Sequence, residues 1–274
     1  MLPARRSPSP IAAGAAVGGN PLWRLVPILT LTVRQFLGGK AVRVVVALSL
    51  IPCIFAAIYL LNIDVATPRE ALVDLFLEVL VAPTLLPIIA LILATAALGN
   101  EVEDRTLPYL VLKPISRLRI VIEKYAAVLI VTIPAVLLGL GLTALIAAQA
   151  DVPSGNAASE RLMPVVWAMF GAAIAGIVLT AAIFLAVSLV VPRALLAGIV
   201  YTFIWESLLG RYLPGLRVIS IRHYVQSIFV DLLDDPDVTV ANATSLRGSI
   251  ITIAVACLVA LLLATWRLRR MNLE

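Results

Sequence analysis

The sequence predicts an all-α polytopic membrane protein with six transmembrane helices. Of its 274 residues, 62% are hydrophobic and only 14% are charged, whereas soluble domains contain about 45–50% apolar and about 25% charged residues. Five apolar runs are each long enough to cross the roughly 30 Å hydrocarbon core of a bilayer as a helix. The basic residues are divided unequally between the segments that connect these runs, which is typical of proteins with a fixed orientation in the membrane.

The amino-terminal part contains two predicted regions. Residues 1–21 are expected to form a disordered cytoplasmic tail, because prolines and glycines interrupt the apolar core that a signal peptide needs. Leu22–Lys40 mixes apolar residues with Trp23 and two arginines, which predicts an interfacial helix along the inner leaflet. The alternative is that this segment extends the first span. Residues 22–274 are predicted to form one transmembrane domain.

Apolar runs of suitable length define the predicted spans. Five follow directly from the sequence: Val44–Ile63, Val79–Leu98, Tyr125–Ala148, Pro164–Val191 and Ser249–Trp266. A sixth, Ala194–Leu209, is shorter and ends in Trp205 and Glu206. Several runs contain proline, which membrane helices tolerate because neighbouring helices and waters can satisfy the freed carbonyl groups.

The distribution of basic residues predicts the orientation. With six spans, fifteen of the 21 Lys and Arg residues fall on the side of the membrane that holds both termini. Cytoplasmic segments carry such an excess, so both termini are predicted to be cytoplasmic in a multi-pass protein of the cell membrane. The net charge of +5 is explained by this asymmetry and does not indicate binding to nucleic acid.

The segment between the second and third spans, Gly99–Arg117, is unusually rich in charge and is called here the charged loop. Its acidic residues follow the second span, and the pattern after them predicts a short amphipathic helix. Thr106 suits the N-cap of this helix, Lys113 suits its C-terminal end, and Pro114 ends it. The helix would contain about seven residues and measure roughly 10 Å.

The order of residues in the charged loop resembles that of the type-2 ATP-binding cassette (ABC) permeases. The resemblance rests on Glu101, Glu103, Asp104, Thr106, Leu107, Leu110, Lys113, Pro114, Ile115, Ser116, Arg117 and Lys124. It implies that the loop carries a cytoplasmic coupling helix that contacts an ATPase subunit through Glu101, Glu103, Asp104, Arg105, Thr106, Lys113, Pro114 and Arg117. Arg105 stands where the family pattern has a small residue. The resemblance also implies a second copy of the chain, or a related permease, and contact with membrane lipid.

The resemblance further implies a permease subunit of an ABC exporter that is not itself an enzyme. The sequence contains no GxxxxGK[ST] phosphate-binding loop, so ATP is expected to bind to the partner, and no cofactor or metal site is predicted in this chain. An alternative is a membrane-embedded mechanotransmission subunit, in which an ATPase uses the same loop and nothing crosses the bilayer. The sequence does not identify a cargo.

Three further features carry weaker predictions. Glu206 lies at the end of the shortest span, where an ionisable residue could line the translocation path; alternatively, it is an interfacial glutamate beside Trp205. Small residues recur every four positions in the fourth span, at Ala168, Ala172, Gly176 and Thr180, which predicts close helix packing. The acidic segment Asp231–Asp237 is predicted to be a solvated outer loop.

Overall fold

The computed structural model describes residues 27–61, 67–99, 116–150, 162–191, 193–204, 220–240 and 242–270, and the regular elements in these ranges are all helical. The α-helices are α1 (Pro27–Gly38), α2 (Lys40–Ser49), α3 (Ile51–Leu60), α4 (Pro68–Asp74), α5 (Leu86–Ala94), α6 (Arg117–Ala147), α7 (Leu162–Ser188), α8 (Ala194–Tyr201), α9 (Ile221–Leu233) and α10 (Leu246–Arg270). Three π-helical segments, Leu75–Val79, Val81–Leu85 and Thr95–Gly99, flank α5.

Among the described residues, five helical stretches are long and apolar enough to cross a membrane. They are span one (Lys40–Leu60), span two (Pro68–Gly99), span three (Arg117–Ala147), span four (Leu162–Ser188) and the last span (Leu246–Arg270). Each of these stretches overlaps one of five predicted spans. The sixth is described only as the shorter apolar helix Ala194–Ile204, and the rest of that prediction, including Glu206, lies outside the described residues, as do residues 1–21.

The segment before span one folds as a separate helix. Helix α1 ends at Gly38, and the chain is extended at Gly39 (φ −85°, ψ 163°) before α2 begins. Ile28, Thr32 and Phe36 are buried along one face of α1, and this face packs against span three. Helix α1 is therefore separate from span one, and its position along the inner leaflet stays a prediction.

Span two starts much earlier than predicted. We expect its first residue at Val79, but the helix begins at Pro68 because Thr67 and Glu70 form a capping box. The Glu70 amide donates to Thr67 Oγ1 (3.3 Å), and the Thr67 amide donates to Glu70 Oε2 (3.0 Å). Such reciprocal bonds satisfy two donors of the first turn. The sequence Thr-Pro-Arg-Glu carries this signal and was not recognised.

Spans two and four form the centre of the bundle. In the most apolar window of each helix, 67% of span two and 56% of span four are buried, against 22% of span one. The small residues of span four, Ala168, Ala172, Gly176 and Thr180, are all buried, which confirms the predicted packing stripe. A Cβ added at Gly176 would lie 2.9 Å from Val225 Cγ2, so α9 approaches span four closely at this glycine.

Span one is interrupted where it crosses span three. The helix breaks at Leu50, between α2 and α3, and Pro52 has no N–H to continue the hydrogen-bond ladder. A Cβ added at Gly139 of span three would overlap the backbone carbonyl oxygen of Ser49. Cys53 Sγ lies 3.5 Å from the Gly139 carbonyl oxygen beside this crossing. The two helices can meet this closely only because residue 139 has no side chain.

Candidate functional site

The residues predicted to contact an ATPase belong mostly to the undescribed part of the charged loop. Glu101, Glu103, Asp104, Arg105, Thr106, Lys113 and Pro114 lie outside the described residues. Arg117 is described, and so are both points at which the loop joins the bundle, Gly99 and Ser116. Ser116 occupies the N-cap position of span three, although its side chain makes no capping hydrogen bond. The end of the bundle that holds these two residues is called the loop end below.

Lys124 connects the two spans that the charged loop joins. Its side chain is only 1% exposed, and Nζ donates a hydrogen bond to the carbonyl oxygen of Ala97 (2.6 Å). Ala97 belongs to the π-helical segment that ends span two, where carbonyl groups lack partners within the helix and a cation is favourable. A buried ammonium group is costly unless it is hydrogen-bonded, so this contact holds the beginning of span three against the end of span two.

Glu123, the residue before Lys124, holds the beginning of α1. Its side chain is 4% exposed, and Oε2 accepts hydrogen bonds from the backbone amides of Ile28 and Leu29, both at 3.0 Å. These amides are in the first turn of α1, where they have no acceptor within the helix and where a negative charge is favourable. Arg119 Nε donates to Glu123 Oε1 at 2.6 Å. One buried carboxylate therefore connects α1 to span three.

The last span reaches the same end of the bundle. Arg117 Nη1 donates to the carbonyl oxygen of Leu268, and Arg267 Nε donates to the carbonyl oxygen of Leu189, at 3.5 Å. Both acceptors lie at or beyond the C-terminal ends of long helices, where arginine satisfies free carbonyl groups. Arg117, which we expect to face an ATPase, thus contacts the last span directly.

These contacts bring α1, spans two, three and four, and the last span together around the ends of the charged loop. The four polar side chains of span three that take part, Arg117, Arg119, Glu123 and Lys124, are called the loop-end cluster. Within the described ranges no group of three His, Cys, Asp or Glu side chains could hold a metal ion. The cluster contains one ion pair within span three, Arg119–Glu123, and hydrogen bonds from span three to backbone groups of other helices. Such contacts suit transmission of a movement of the loop to several helices at once.

Sequence reasoning recognised Arg117 and Lys124 through the resemblance but did not identify Glu123 as a site residue. A signal was present, because Arg119 and Glu123 are four residues apart, a spacing that brings side chains together on a helix. What the sequence does not contain is the partner of Glu123, since Ile28 and Leu29 are 95 and 94 residues away. The donors are backbone amides, which do not depend on residue type, so the sequence gives no sign of this contact.

A second polar cluster lies at the opposite end of the bundle, called here the far end. Gln226 Nε2 donates to the carbonyl oxygen of Leu77 (2.8 Å), and Arg222 Nη2 lies 2.7 Å from Glu78 Oε2. Leu77 and Glu78 belong to the first π-helical segment of span two, and π-bulges leave backbone groups available in this way. These bonds fasten α9 to span two.

The acidic segment Asp231–Asp237 makes more contacts with other helices than the predicted solvated loop would. Asp235 forms an ion pair with Arg69 near the start of span two. Asp231 Oδ2 accepts a hydrogen bond from the Leu246 amide at the beginning of the last span (3.1 Å). Asp234 and Asp237 are exposed. Two carboxylates of the segment therefore join helices, and two face outward.

Comparison with known families gives one result that covers the loop-end cluster. A family model described as "ABC-2 family transporter protein" matches residues 36–207. The match covers more than half of the chain, including the charged loop and the first four spans. No curated protein matches the chain.

Proposed function

Because the chain belongs to the ABC-2 family of transporter proteins, we propose that it is the membrane-spanning permease subunit of an ABC exporter, driven by a separate ATPase subunit. The observation that carries this proposal is the loop-end cluster, in which Glu123 and Lys124 join α1, span two and span three beside both ends of the charged loop. The absence of a phosphate-binding loop from the sequence assigns ATP binding to the partner.

In the proposed mechanism, the ATPase binds the charged loop and moves it. The contacting residues are Glu101, Glu103, Asp104, Arg105, Thr106, Lys113, Pro114 and Arg117. Since the loop joins spans two and three, its displacement acts on Ala97 and Lys124 first and reaches α1 through Glu123. Packed helices respond to such a push as rigid bodies rather than by gradual deformation. The helices would therefore shift together between two arrangements.

The proposed assembly follows from the same role. Both termini and the charged loop lie in the cytoplasm, the spans lie in the cell membrane, and a second copy or a related permease completes the translocation path. Glu206, at the end of the shortest predicted span, is proposed to line that path, since ionisable groups at membrane depth commonly serve function. Replacing Glu206 by glutamine should then reduce export without reducing expression.

The test removes two charges from the loop and compares them with two charges at the far end. The full chain is co-expressed with a candidate ABC ATPase subunit from the same organism. The double variant Glu101→Gln with Glu103→Gln should weaken co-purification of the ATPase, or leave a bound ATPase whose hydrolysis no longer responds to cargo. The reason is that removing one partner of a desolvated charge pair costs about 2–5 kcal/mol of binding free energy.

The matched control is Asp234→Asn with Asp237→Asn. Both residues are exposed, and the control spares Asp235, which pairs with Arg69. Asparagine also tolerates the left-handed conformation of Asp234 (φ 49°). This control should alter neither co-purification nor hydrolysis. If it uncouples the complex and the loop variant does not, the proposed role of the charged loop is wrong.

A further inference from the structure

A cavity of about 160 Å³ lies toward the far end of the bundle, between span one and the start of span two. Its wall is mainly apolar and includes Ala56, Leu72 and Leu75. An apolar cavity of roughly 150 Å³ is large enough to hold a benzene ring. The cavity can therefore hold a ring or a compact branched group, but not a large ligand as a whole.

Three side chains give this cavity a specific chemistry. Phe55 and Tyr59 contribute aromatic rings from α3, and Asp74 contributes a carboxylate from the last residue of α4. Glu70 lies close enough to the Tyr59 phenol to act on it electrostatically. The lining thus combines aromatic rings, which attract cations through their faces, with negative charge and no basic residue.

Asp74 is the ionisable acidic residue of this lining, and within the described ranges it has no structural partner. Glu70 caps the helix start through Thr67, whereas no hydrogen bond or ion pair involves the Asp74 carboxylate among the described residues. The Asp74 side chain is exposed, so a ligand that enters through the open side of the cavity can reach it. A carboxylate beside two aromatic rings is complementary to a cation that carries apolar groups.

We propose that this cavity binds an amphiphilic organic ammonium ion, with the charged nitrogen between Asp74 and the rings of Phe55 and Tyr59. The apolar groups on the nitrogen occupy the space beside Leu72 and Leu75, and a longer tail extends through the open side of the cavity along span one. The ligand is a free amphiphilic cation rather than an ammonium lipid, because Asp74 and Glu70 would repel the phosphate of a lipid headgroup. If the proposed function holds, such a cation belongs to the cargo class of the exporter.

The experiment measures equilibrium binding of radiolabelled benzyldimethylhexylammonium to the purified full chain in a maltoside detergent, which contains neither ammonium nor phosphate. We expect saturable binding of one probe per chain. A neutral analogue with carbon in place of nitrogen should not compete. Asp74→Asn should weaken binding at least tenfold, Phe55→Leu severalfold, and Asp74→Glu, which keeps the charge, should retain binding within about threefold.

The matched control is Asp234→Asn, which removes an exposed carboxylate outside the cavity and should leave binding unchanged. Equal binding to wild type and Asp74→Asn would overturn the proposal, as would equal competition by the neutral analogue, which would indicate a merely apolar cavity. Displacement of the probe by phosphatidylethanolamine would assign the cavity to lipid and also refute it. No ATPase is needed here, so loss of probe binding and failure of the ATPase to associate are separate results.

Discussion

Replacing Glu123 by alanine tests whether the loop-end cluster holds α1 in place. The substitution removes the acceptor of two amide hydrogen bonds, a buried one from Ile28 and a partly buried one from Leu29, each 3.0 Å long. Hydrogen bonds to charged groups contribute about 1.5–3 kcal/mol each. The bond from Arg119 adds little, since the Arg119 side chain is 46% exposed and surface ion pairs are weak. Two such amide bonds sum to about 3–6 kcal/mol. We expect α1 docking to lose about 3 kcal/mol, the lower end, because the Leu29 bond is only partly buried.

Amide hydrogen exchange of the detergent-solubilised full chain measures this loss directly. A change of about 3 kcal/mol corresponds to roughly 100-fold in the docking equilibrium, so exchange within α1 should accelerate by about that factor. Exchange in the middle of span three should not change. Glu123→Gln, which keeps an oxygen acceptor without the charge, should give an intermediate acceleration because the neutral amide forms weaker bonds.

Glu78→Gln is the matched control for this experiment. Glu78 also pairs with an arginine, at the far end, but its side chain is 56% exposed. The control should leave α1 exchange unchanged. The reasoning is refuted if Glu123→Ala leaves exchange in α1 at the wild-type rate, because the two amide bonds would then contribute nothing to docking. Equal acceleration in the control would show a general loosening of the bundle instead.

Three further predictions concern packing, the buried lysine and orientation. Gly139→Ala should destabilise the protein by about 1–3 kcal/mol in thermal unfolding, because the new Cβ overlaps the Ser49 carbonyl. The control Gly141→Ala, whose Cβ would lie 3.6 Å from Phe170 Cζ, should leave the stability unchanged. Lys124→Met should preserve membrane insertion but lower the midpoint of thermal unfolding by several degrees, since the Ala97 carbonyl loses its buried donor. An unchanged midpoint would show that the Lys124 contact does not stabilise the packing of span two against span three. In a cysteine-free background, Pro236→Cys should react with an impermeant thiol reagent on intact cells, and Ser116→Cys should react only after permeabilisation. The reverse pattern would show that the protein has the opposite orientation.

The sequence predicts the helices of this protein well because the signals that form them are local. A run of apolar residues must become a helix to satisfy its backbone in lipid, whatever surrounds it. The small-residue stripe of span four is likewise correct, since its period matches one helix face. The helix of span two begins before the predicted Val79 for a local reason: the capping box at Thr67 and Glu70 precedes the apolar run.

Two features of the bundle have no local signal. The π-helical segments of span two expose carbonyl groups at Leu77 and Ala97, and side chains from distant helices occupy both. Nothing in the sequence around these residues distinguishes them from ordinary apolar helix. The cavity beside Asp74 similarly arises from the way span one packs against span two.

The sequence by itself determined that this chain is a helical membrane protein, where most of its spans lie, and that its charge concentrates between the second and third of them. The tertiary structure alone decided which charges act as contacts: Glu123 binds the start of α1, and Lys124 binds the end of span two. The physical reason is that hydrophobicity is a property of each segment. A buried ion is stabilised only by a partner. Here the partners that come from other helices are backbone groups brought near by packing.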